Sequence, residues 1–381
     1  MTIFSGVRST KHLVVSGLTL CALSLTACGG STPLGGSGSS GSGIPTVATK
    51  NTTRVDASST SDKAAAISLA VWPGGGQRPR SAVLLPSDWQ SGLAAAPLAS
   101  PPFNGAFLMA DDGIPDATQS ALDQLSPTGV TSAQGVKRIR IGNAEDPGQS
   151  KQISGNGPAG LADAVDKSRA AAGARSTGSL VVVGTDGPEW GTPAAAWAAR
   201  SGDPILFAQK DALPQPTADA IRRHGHPLIM LLAPTTVVSP QVESQLAALG
   251  TVIRITGPTP VAAAIAFARF RDGDRGWGLI DPGHGYIFTN SENPMDAIVS
   301  APLSAAGVWG ASLPLPSATE IPAPLDQYLR DVQPGFRDDP TRAVYNHGWL
   351  IGDTKAISQE AQATLDHLLE IVPANEQRVH P

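Results

Sequence analysis

Similar blocks of sequence recur along this chain about every 100 residues, and this internal repeat constrains the possible folds more than any other feature. Each of three blocks opens with a short apolar run that predicts a buried strand, at 82–86, 180–184 and 285–289. An alanine-rich helix follows each run, and then a second strand, a helix with proline in its first turn and a third strand. Apolar strands that alternate with helices indicate parallel sheets covered by helices on both faces. The repeat therefore predicts an α/β fold of three tandem doubly wound parallel-sheet modules.

The module boundaries follow from a unit of strand, turn and helix that joins one block to the next. These units begin near Arg54, Gln152 and Arg254. We expect three modules at residues 46–150, 151–250 and 251–373, and a tail at 374–381. The sequence leaves open whether the strand near Arg54 pairs within its own module or closes the third.

Three motifs connect the blocks to a known family. They are Arg254-Ile255-Thr256-Gly257 in an opening strand, residues 295–303 and in part 89–99 in the alanine-rich helices, and residues 238–246 near the end of module 2. In these residues the chain resembles the bacterial cell wall-binding repeat type 2 family, over about residues 46–372. The resemblance implies three modules packed around a pseudo-threefold axis. It also implies noncovalent attachment to the cell wall through an anionic polymer.

The chain departs from the family pattern at two places. Where the family has Arg-Tyr-x-Thr-Ala after the opening strand, residues 260–264 read Pro-Val-Ala-Ala-Ala, and blocks one and two lack the motif as well. The helix aspartate of the family is present only as Asp296, with Ser91 and Gly191 at the equivalent places. The resemblance therefore supports the fold more strongly than it supports ligand binding.

The amino terminus has the pattern of a lipoprotein signal peptide. Basic residues precede an apolar run of about 13 residues, which is too short to span a membrane. The run ends in Leu25, Thr26, Ala27 and Cys28, which resemble the bacterial lipobox. We expect cleavage after residues 1–27, lipidation of Cys28 and a flexible Gly/Ser linker over residues 28–45. The alternative is ordinary signal cleavage beside an incidental cysteine.

The lipid would place the protein at the outer face of the bacterial cytoplasmic membrane, with that membrane as its partner. The only other cysteine, Cys21, lies within the segment that would be removed, so lipidation also accounts for the odd cysteine that remains. The net charge of −5 becomes more negative when Arg8 and Lys11 are removed with the signal peptide. Without a basic patch, nucleic acid binding is not expected.

Motifs that bear chemistry are weak in this sequence. Residues 155–160 fit Gly-x-Gly-x-x-Gly, but the corresponding turns of the other blocks indicate a structural turn, and no acidic residue stands about 20 positions later. His224 and His226 follow Arg222-Arg223 at a predicted helix end, where the helix dipole favours basic groups. No Gly-x-Ser-x-Gly motif is found in the folded part. We therefore expect no metal site, no cofactor and no catalytic residue, so the chain is not expected to be an enzyme.

Aromatic and polar residues follow the first strand of each block, at the edge where open α/β sheets bind ligands. Trp89, Trp190, Met295 and Asp296 are the candidate ligand-binding residues, and contact with a wall polysaccharide is the expected use. Packing beneath the following helix is the alternative explanation for the large side chains. The leading hypothesis is a noncatalytic surface lipoprotein that attaches to, or acts as a scaffold at, the cell wall. A solute-binding lipoprotein of a transporter is the alternative, and a wall enzyme is a third hypothesis.

Overall fold

The computed structural model describes residues 46–74, 76–305 and 310–374. The predicted signal peptide, the lipobox with Cys28, the linker up to residue 45 and the end of the tail lie outside the described residues. No helix within these ranges is long and apolar enough to cross a membrane.

The chain begins with a short hairpin and the first block. The elements are β1 (Thr46–Ala48), β2 (Thr52–Val55), α1 (Thr60–Val71), β3 (Ser81–Leu85), α2 (Trp89–Ala95), β4 (Gly105–Met109), α3 (Asp116–Leu125), β5 (Arg138–Ile141) and β6 (Lys151–Ile153). A 3-10 turn at Ala96–Ala99 extends α2, and another lies at Thr131–Ala133. No helix separates β5 from β6, in contrast to the other two blocks.

The second and third blocks repeat this order. The second contains α4 (Gly157–Ala171), β7 (Ser179–Gly184), α5 (Pro188–Gly191), α6 (Ala194–Ser201), β8 (Ile205–Ala208), α7 (Gln215–Arg223), β9 (Leu228–Leu232), α8 (Pro240–Ala247) and β10 (Thr251–Arg254). The third contains α9 (Pro260–Arg269), β11 (Gly285–Asn290), α10 (Pro294–Val299), α11 (Pro302–Ala305), β12 (Ser312–Leu315), α12 (Ala323–Asp331), β13 (Gly335–Phe336), β14 (His347–Ile351), α13 (Gln359–Leu368) and β15 (Val372–Pro373). A 3-10 turn at Pro340–Arg342 precedes β14, and β13 pairs with β15.

Three parallel sheets with the same strand order form the α/β fold. The orders are β4-β3-β5-β6, β8-β7-β9-β10 and β12-β11-β14-β2, with β1 added antiparallel at the outer edge of the third sheet. We call them sheets 1, 2 and 3. The strand β2 runs parallel to β14, with Arg54 opposite Leu350. The strand near Arg54 therefore closes the third sheet, which answers the question that the sequence left open.

Each joining unit is divided between two sheets. The strands β6 and β10 lie beyond residues 150 and 250, yet they complete sheets 1 and 2, which belong to the preceding blocks. The helices that follow them, α4 and α9, pack on β8 and β12 of the next sheet. Strand exchange across the predicted module boundaries thus links each sheet to its neighbour.

The three alanine-rich helices pack against one another in a shared core. The helix α6 contacts both the 3-10 turn after α2 and α11, and α10 contacts α2. A Cβ atom on Gly92 of α2 would lie 2.9 Å from Ile298 Cγ2 of α10, so only glycine allows this approach. One continuous apolar cluster contains buried residues of all three blocks, because small side chains bring the helices close together. The blocks therefore share one core, beside which the third and the first block each have a smaller apolar cluster of their own.

Candidate functional site

The two tryptophans predicted as ligand-binding residues lie beyond the carboxyl ends of their strands. Trp89 is the first residue of α2 and is half-buried, and its ring packs 6.1 Å from that of Phe207 in β8, so it bridges two blocks. Trp190 lies in α5 and is also half-buried. Both side chains keep a partly accessible surface while they pack on the protein.

Met295 and Asp296 of α10 are enclosed. A Cβ atom on Gly92 would lie 3.3 Å from Met295 Cε, which places the methionine in the packing between α2 and α10. Asp296 is fully buried and accepts hydrogen bonds from Lys63 Nζ at 2.8 Å and from Asn293 Nδ2 at 2.9 Å. Burial raises the pKa of Asp296 to about 6, although the Lys63 ammonium opposes the shift. These two side chains contact neighbouring helices rather than open solvent, and the four predicted residues remain distributed over three sheets.

The arginine of the opening strand has a structural role. Arg54 is 1% exposed and donates to the carbonyl oxygen of Gly352, which directly follows β14. Arg254 donates to the carbonyl oxygen of Ala233 after β9, and the Gln152 side chain donates to that of Gly142 after β5. The same position therefore caps the end of the adjacent strand in all three sheets, which accounts for the Arg-Ile-x-Gly motif without a ligand.

The first glycine of the Gly-x-Gly-x-x-Gly segment also has a packing role. A Cβ atom on Gly155 would lie 2.2 Å from the carbonyl carbon of Gly160, and one on Gly257 at the equivalent turn would lie 2.8 Å from that of Ala262. Only glycine allows the strand to approach the first turn of the helix so closely. Within the described ranges no group of three or more His, Cys, Asp or Glu side chains is arranged to hold a metal ion.

A serine, a histidine and an aspartate meet at the amino edge of sheet 2. Asp166 lies on α4, Ser176 lies in the segment between α4 and β7, and His224 directly follows α7. His224 Nε2 is 3.0 Å from Asp166 Oδ1, and Ser176 Oγ is 3.1 Å from His224 Nδ1. This constellation was not predicted: the sequence drew attention to His224, but nothing in it connects that residue with Ser176 or Asp166.

Arginine side chains surround these three residues in a cavity of about 380 Å³. Arg223 Nη2 is 2.8 Å from Asp166 Oδ2. Arg169 is buried and donates to Ser100 Oγ and to the carbonyl oxygen of Gly202, and burial lowers its pKa to about 10. Arg175 is exposed, and within the described part of the chain it forms no hydrogen bond or ion pair. One cation at this cavity thus remains available to a ligand.

A second cavity, of about 730 Å³, lies beside the first and shares Thr177 with it. Its buried carboxylate, Asp203, accepts hydrogen bonds from Trp197 Nε1 at 2.7 Å and from Ser179 Oγ at 2.9 Å. Burial raises the pKa of Asp203, although these donors oppose the shift. Asp272 and Arg275 also line the cavity, with Asp272 Oδ2 3.7 Å from Arg275 Nη1. The cavity is therefore polar and lined by residues of blocks two and three.

Comparison with known proteins shows a likeness in fold. No family model matches the sequence, and no curated protein is similar to it in sequence. Cwp8 from Clostridium difficile superposes with a TM-score of 0.65 at 16% identity, over 84% of this chain and 52% of that chain. Cwp6 from the same organism gives a TM-score of 0.66 at 16% identity, over 84% of this chain and 48% of that one. This chain spans about half the length of either protein, and its fold is that of these clostridial cell wall proteins.

Proposed function

We propose that this protein is a cell-surface lipoprotein whose three modules attach to, or act as a scaffold at, the bacterial cell wall. The observation that carries the proposal is the threefold recurrence of one strand order, in a fold shared with the cell wall proteins Cwp8 and Cwp6. This role requires binding and no reaction. We assign no catalysis to the carboxyl edges of the sheets, where the candidate residues are Trp89 and Trp190.

The proposal includes a pseudo-threefold arrangement of the modules, as expected for a cell wall-binding repeat type 2 protein. Three equivalent helix contacts support it, because α1 packs on α10, α2 on α4, and α5 on α9. Each pair joins a helix after a first strand to a helix of a joining unit. A common rotation relating the modules would produce such a set of contacts.

Attachment to the membrane is assigned to lipid on Cys28, and attachment to the wall is assigned to a wall polysaccharide. The lipobox and the Gly/Ser linker support the first assignment. The half-buried indole rings of Trp89 and Trp190 support the second, since aromatic faces stack on sugar rings. Two anchors in one chain would place it in the cell envelope, between membrane and wall.

Cys28→Ala separates the two anchors. With the lipid removed, retention of the protein on the wall would support binding by the modules, and release into the medium would show that the lipid is the main anchor.

In a pulldown with purified wall polymers, Trp190→Ala should lower retention of the whole protein. Tyr345→Ala is the matched control, because Tyr345 is a 65% exposed aromatic residue that precedes β14 at the opposite edge of a sheet. Absence of retention on every polymer would refute the binding role.

A solute-binding lipoprotein remains the second candidate, and the cavity of about 730 Å³ favours it because this volume suits a small ligand. Such proteins close two lobes over their ligand. Here a single apolar cluster joins residues of all three blocks, which is better suited to a rigid scaffold. A hinge motion on addition of a small molecule, measured by small-angle X-ray scattering, would favour the solute-binding role.

A further inference from the structure

The residues Ser176, His224 and Asp166 have the order of contacts that activates a serine hydroxyl as a nucleophile. The imidazole lies between the other two, at 3.1 Å from the hydroxyl oxygen and 3.0 Å from the carboxylate. His224 lies 48 residues after Ser176 and 58 after Asp166 in the sequence, and the three meet in a cavity of about 380 Å³. From this geometry we propose that the protein also cleaves esters that carry an anionic group, with Ser176 as the nucleophile. The inference goes beyond wall attachment and departs from the sequence-based expectation that the chain is not an enzyme.

The carboxylate fixes the tautomer of the histidine. Burial acts to raise the pKa of Asp166, but hydrogen bonds from His224 and Arg223 outweigh it and hold that pKa below the usual value. An ionised carboxylate only accepts hydrogen bonds, so Nε2 of His224 carries the proton. Nδ1 then presents its lone pair to Ser176, whose hydroxyl donates to it. Compared with the common triad the two ring nitrogens have exchanged places, and the base still faces the hydroxyl.

The hydroxyl of Ser176 is also oriented by the backbone. Its oxygen accepts a hydrogen bond from the N–H of Gly178 at 3.3 Å, which leaves its proton directed to the imidazole. Ser176 is exposed, so a substrate can reach it from solvent. In the described part of the chain the N–H groups of Ser176 and Thr177 have no hydrogen-bond acceptor. They are therefore available to the carbonyl oxygen that becomes negative during the reaction.

The substrate class follows from the charges that remain unused. Arg223 is held by Asp163 and Asp166, and Arg169 is held by carbonyl and hydroxyl oxygens. Arg175, next to Ser176 in sequence, is the exposed cation without a partner among the described residues. A carboxylate or phosphate close to the scissile carbonyl would pair with it. The size of the cavity suits a small acyl group of this kind.

The reaction has two balanced steps. Ser176 Oγ attacks the ester carbonyl carbon while His224 Nδ1 takes the hydroxyl proton. The bond to the leaving oxygen breaks, and the alcohol departs with that proton, which leaves the acyl group on Ser176. Water then attacks the acyl-serine, and His224 transfers a proton from the water to Ser176 Oγ. The acid is released as its carboxylate, its remaining proton passes to the solvent, and the serine is restored.

The test uses the full-length protein in detergent with two chromogenic esters, p-nitrophenyl hemisuccinate and p-nitrophenyl acetate. Ser176→Ala and His224→Gln should each lower kcat/KM for the hemisuccinate about 100-fold or more, which is typical for loss of a nucleophile or a general base. Arg175→Gln should reduce the ratio of the hemisuccinate rate to the acetate rate about tenfold. His284→Gln is the matched control, since His284 Nε2 is also 3.0 Å from an aspartate, Asp281, and has no serine partner in the described structure.

Covalent labelling makes the test independent of turnover. A fluorophosphonate should add its mass to Ser176 in the wild-type protein and in His284→Gln, and labelling should be lost in His224→Gln. Thermal unfolding of each variant verifies that it is folded. No labelling of folded wild-type protein, or hydrolysis that persists in Ser176→Ala, would overturn the proposal. Retention on the wall is measured in parallel with Ser176→Ala and should not change, so failure of one proposal is distinguishable from failure of the other.

Discussion

The contact between α1 and α10 joins the beginning of the described chain to its third block, whereas the contacts of α2 with α4 and of α5 with α9 join successive blocks. We call the first the closing joint and the other two the internal joints. At the closing joint Lys63 and Asp296 form a buried ion pair of 2.8 Å. The fourth residue after the helix N-cap, Lys63 in α1, is Gly160 in α4 and Ala263 in α9.

The partner position differs in the same way. Where the closing joint has Asp296, the internal joints have Ser91 and Gly191. Blocks that follow each other in the chain are joined covalently, and small residues suffice between them. Lys63 and Asp296 are 233 residues apart, so their contact depends on tertiary structure alone. A buried ion pair is thus found at the joint between two blocks that do not follow each other in the chain.

The largest effect is expected when the pair is broken on one side. Asp296→Ala leaves the Lys63 ammonium, which is 3% exposed, without its counter-charge. Loss of one partner of a buried ion pair costs about 3–5 kcal/mol, so the free energy of unfolding in urea should fall by that amount. Ser91→Ala is the control at an internal joint and should change stability by less than about 0.5 kcal/mol. Equal losses at the two joints would contradict the comparison.

A smaller effect is expected from the strand that completes the closing sheet. Arg54→Met removes a buried guanidinium that donates to Gln362 and to the carbonyl oxygens of Gly352 and Asp353. A hydrogen bond to a charged group contributes about 1.5–3 kcal/mol to stability. Loss of the guanidinium should therefore speed amide hydrogen exchange in β2. Gln152→Met at the exposed equivalent position in sheet 1 removes a single bond and should cost about 1 kcal/mol or less. If amide exchange became equally fast in β2 of Arg54→Met and in β6 of Gln152→Met, the expected difference between sheets 3 and 1 would be wrong.

The pH dependence of stability tests the environment of Asp296. Because its folded-state pKa is raised to about 6, the folded protein binds this proton more tightly than the unfolded chain does. Its contribution to stability should therefore increase as the pH falls through about 6 and be lost as the pH rises above that value. Between about pH 7 and pH 5 wild type should gain roughly 1 kcal/mol relative to Asp296→Asn, measured by urea denaturation. A difference of zero or of opposite sign would exclude a raised pKa.

The smallest effect is expected when both charges are replaced. The double variant Lys63→Met, Asp296→Leu should be within less than about 1 kcal/mol of wild type, because apolar residues of similar size often replace a buried pair without loss. Comparison with Asp296→Ala by thermal unfolding separates the stability of the pair from the cost of leaving one charge alone. A double variant as unstable as the single one would mean that the ion pair itself stabilises the closing joint.

Much of the fold could be predicted from local patterns. The apolar runs became fully buried strands, as at β3 and β7, and the prolines before α3, α7 and α12 stand at the helix starts where they were expected. The partner of β2 could not be predicted, because its backbone groups can pair with the edge of any parallel sheet and its side chains do not specify which one. The candidate residues at the sheet edges illustrate the same limit, since Trp89 and Asp296 occupy similar places in the repeat, yet Trp89 is half-buried and Asp296 is fully buried.

The sequence by itself determined the parallel α/β blocks, their number and their order, because strand and helix periodicity are local properties of the chain. Tertiary structure alone decided that β2 closes sheet 3, that Lys63 lies against Asp296, and that His224 meets both Ser176 and Asp166. Each of these contacts joins residues that are distant in sequence. A hydroxyl, an imidazole and a carboxylate act together only when packing brings them within hydrogen-bonding distance. The periodicity of apolar residues in the sequence does not predict that distance.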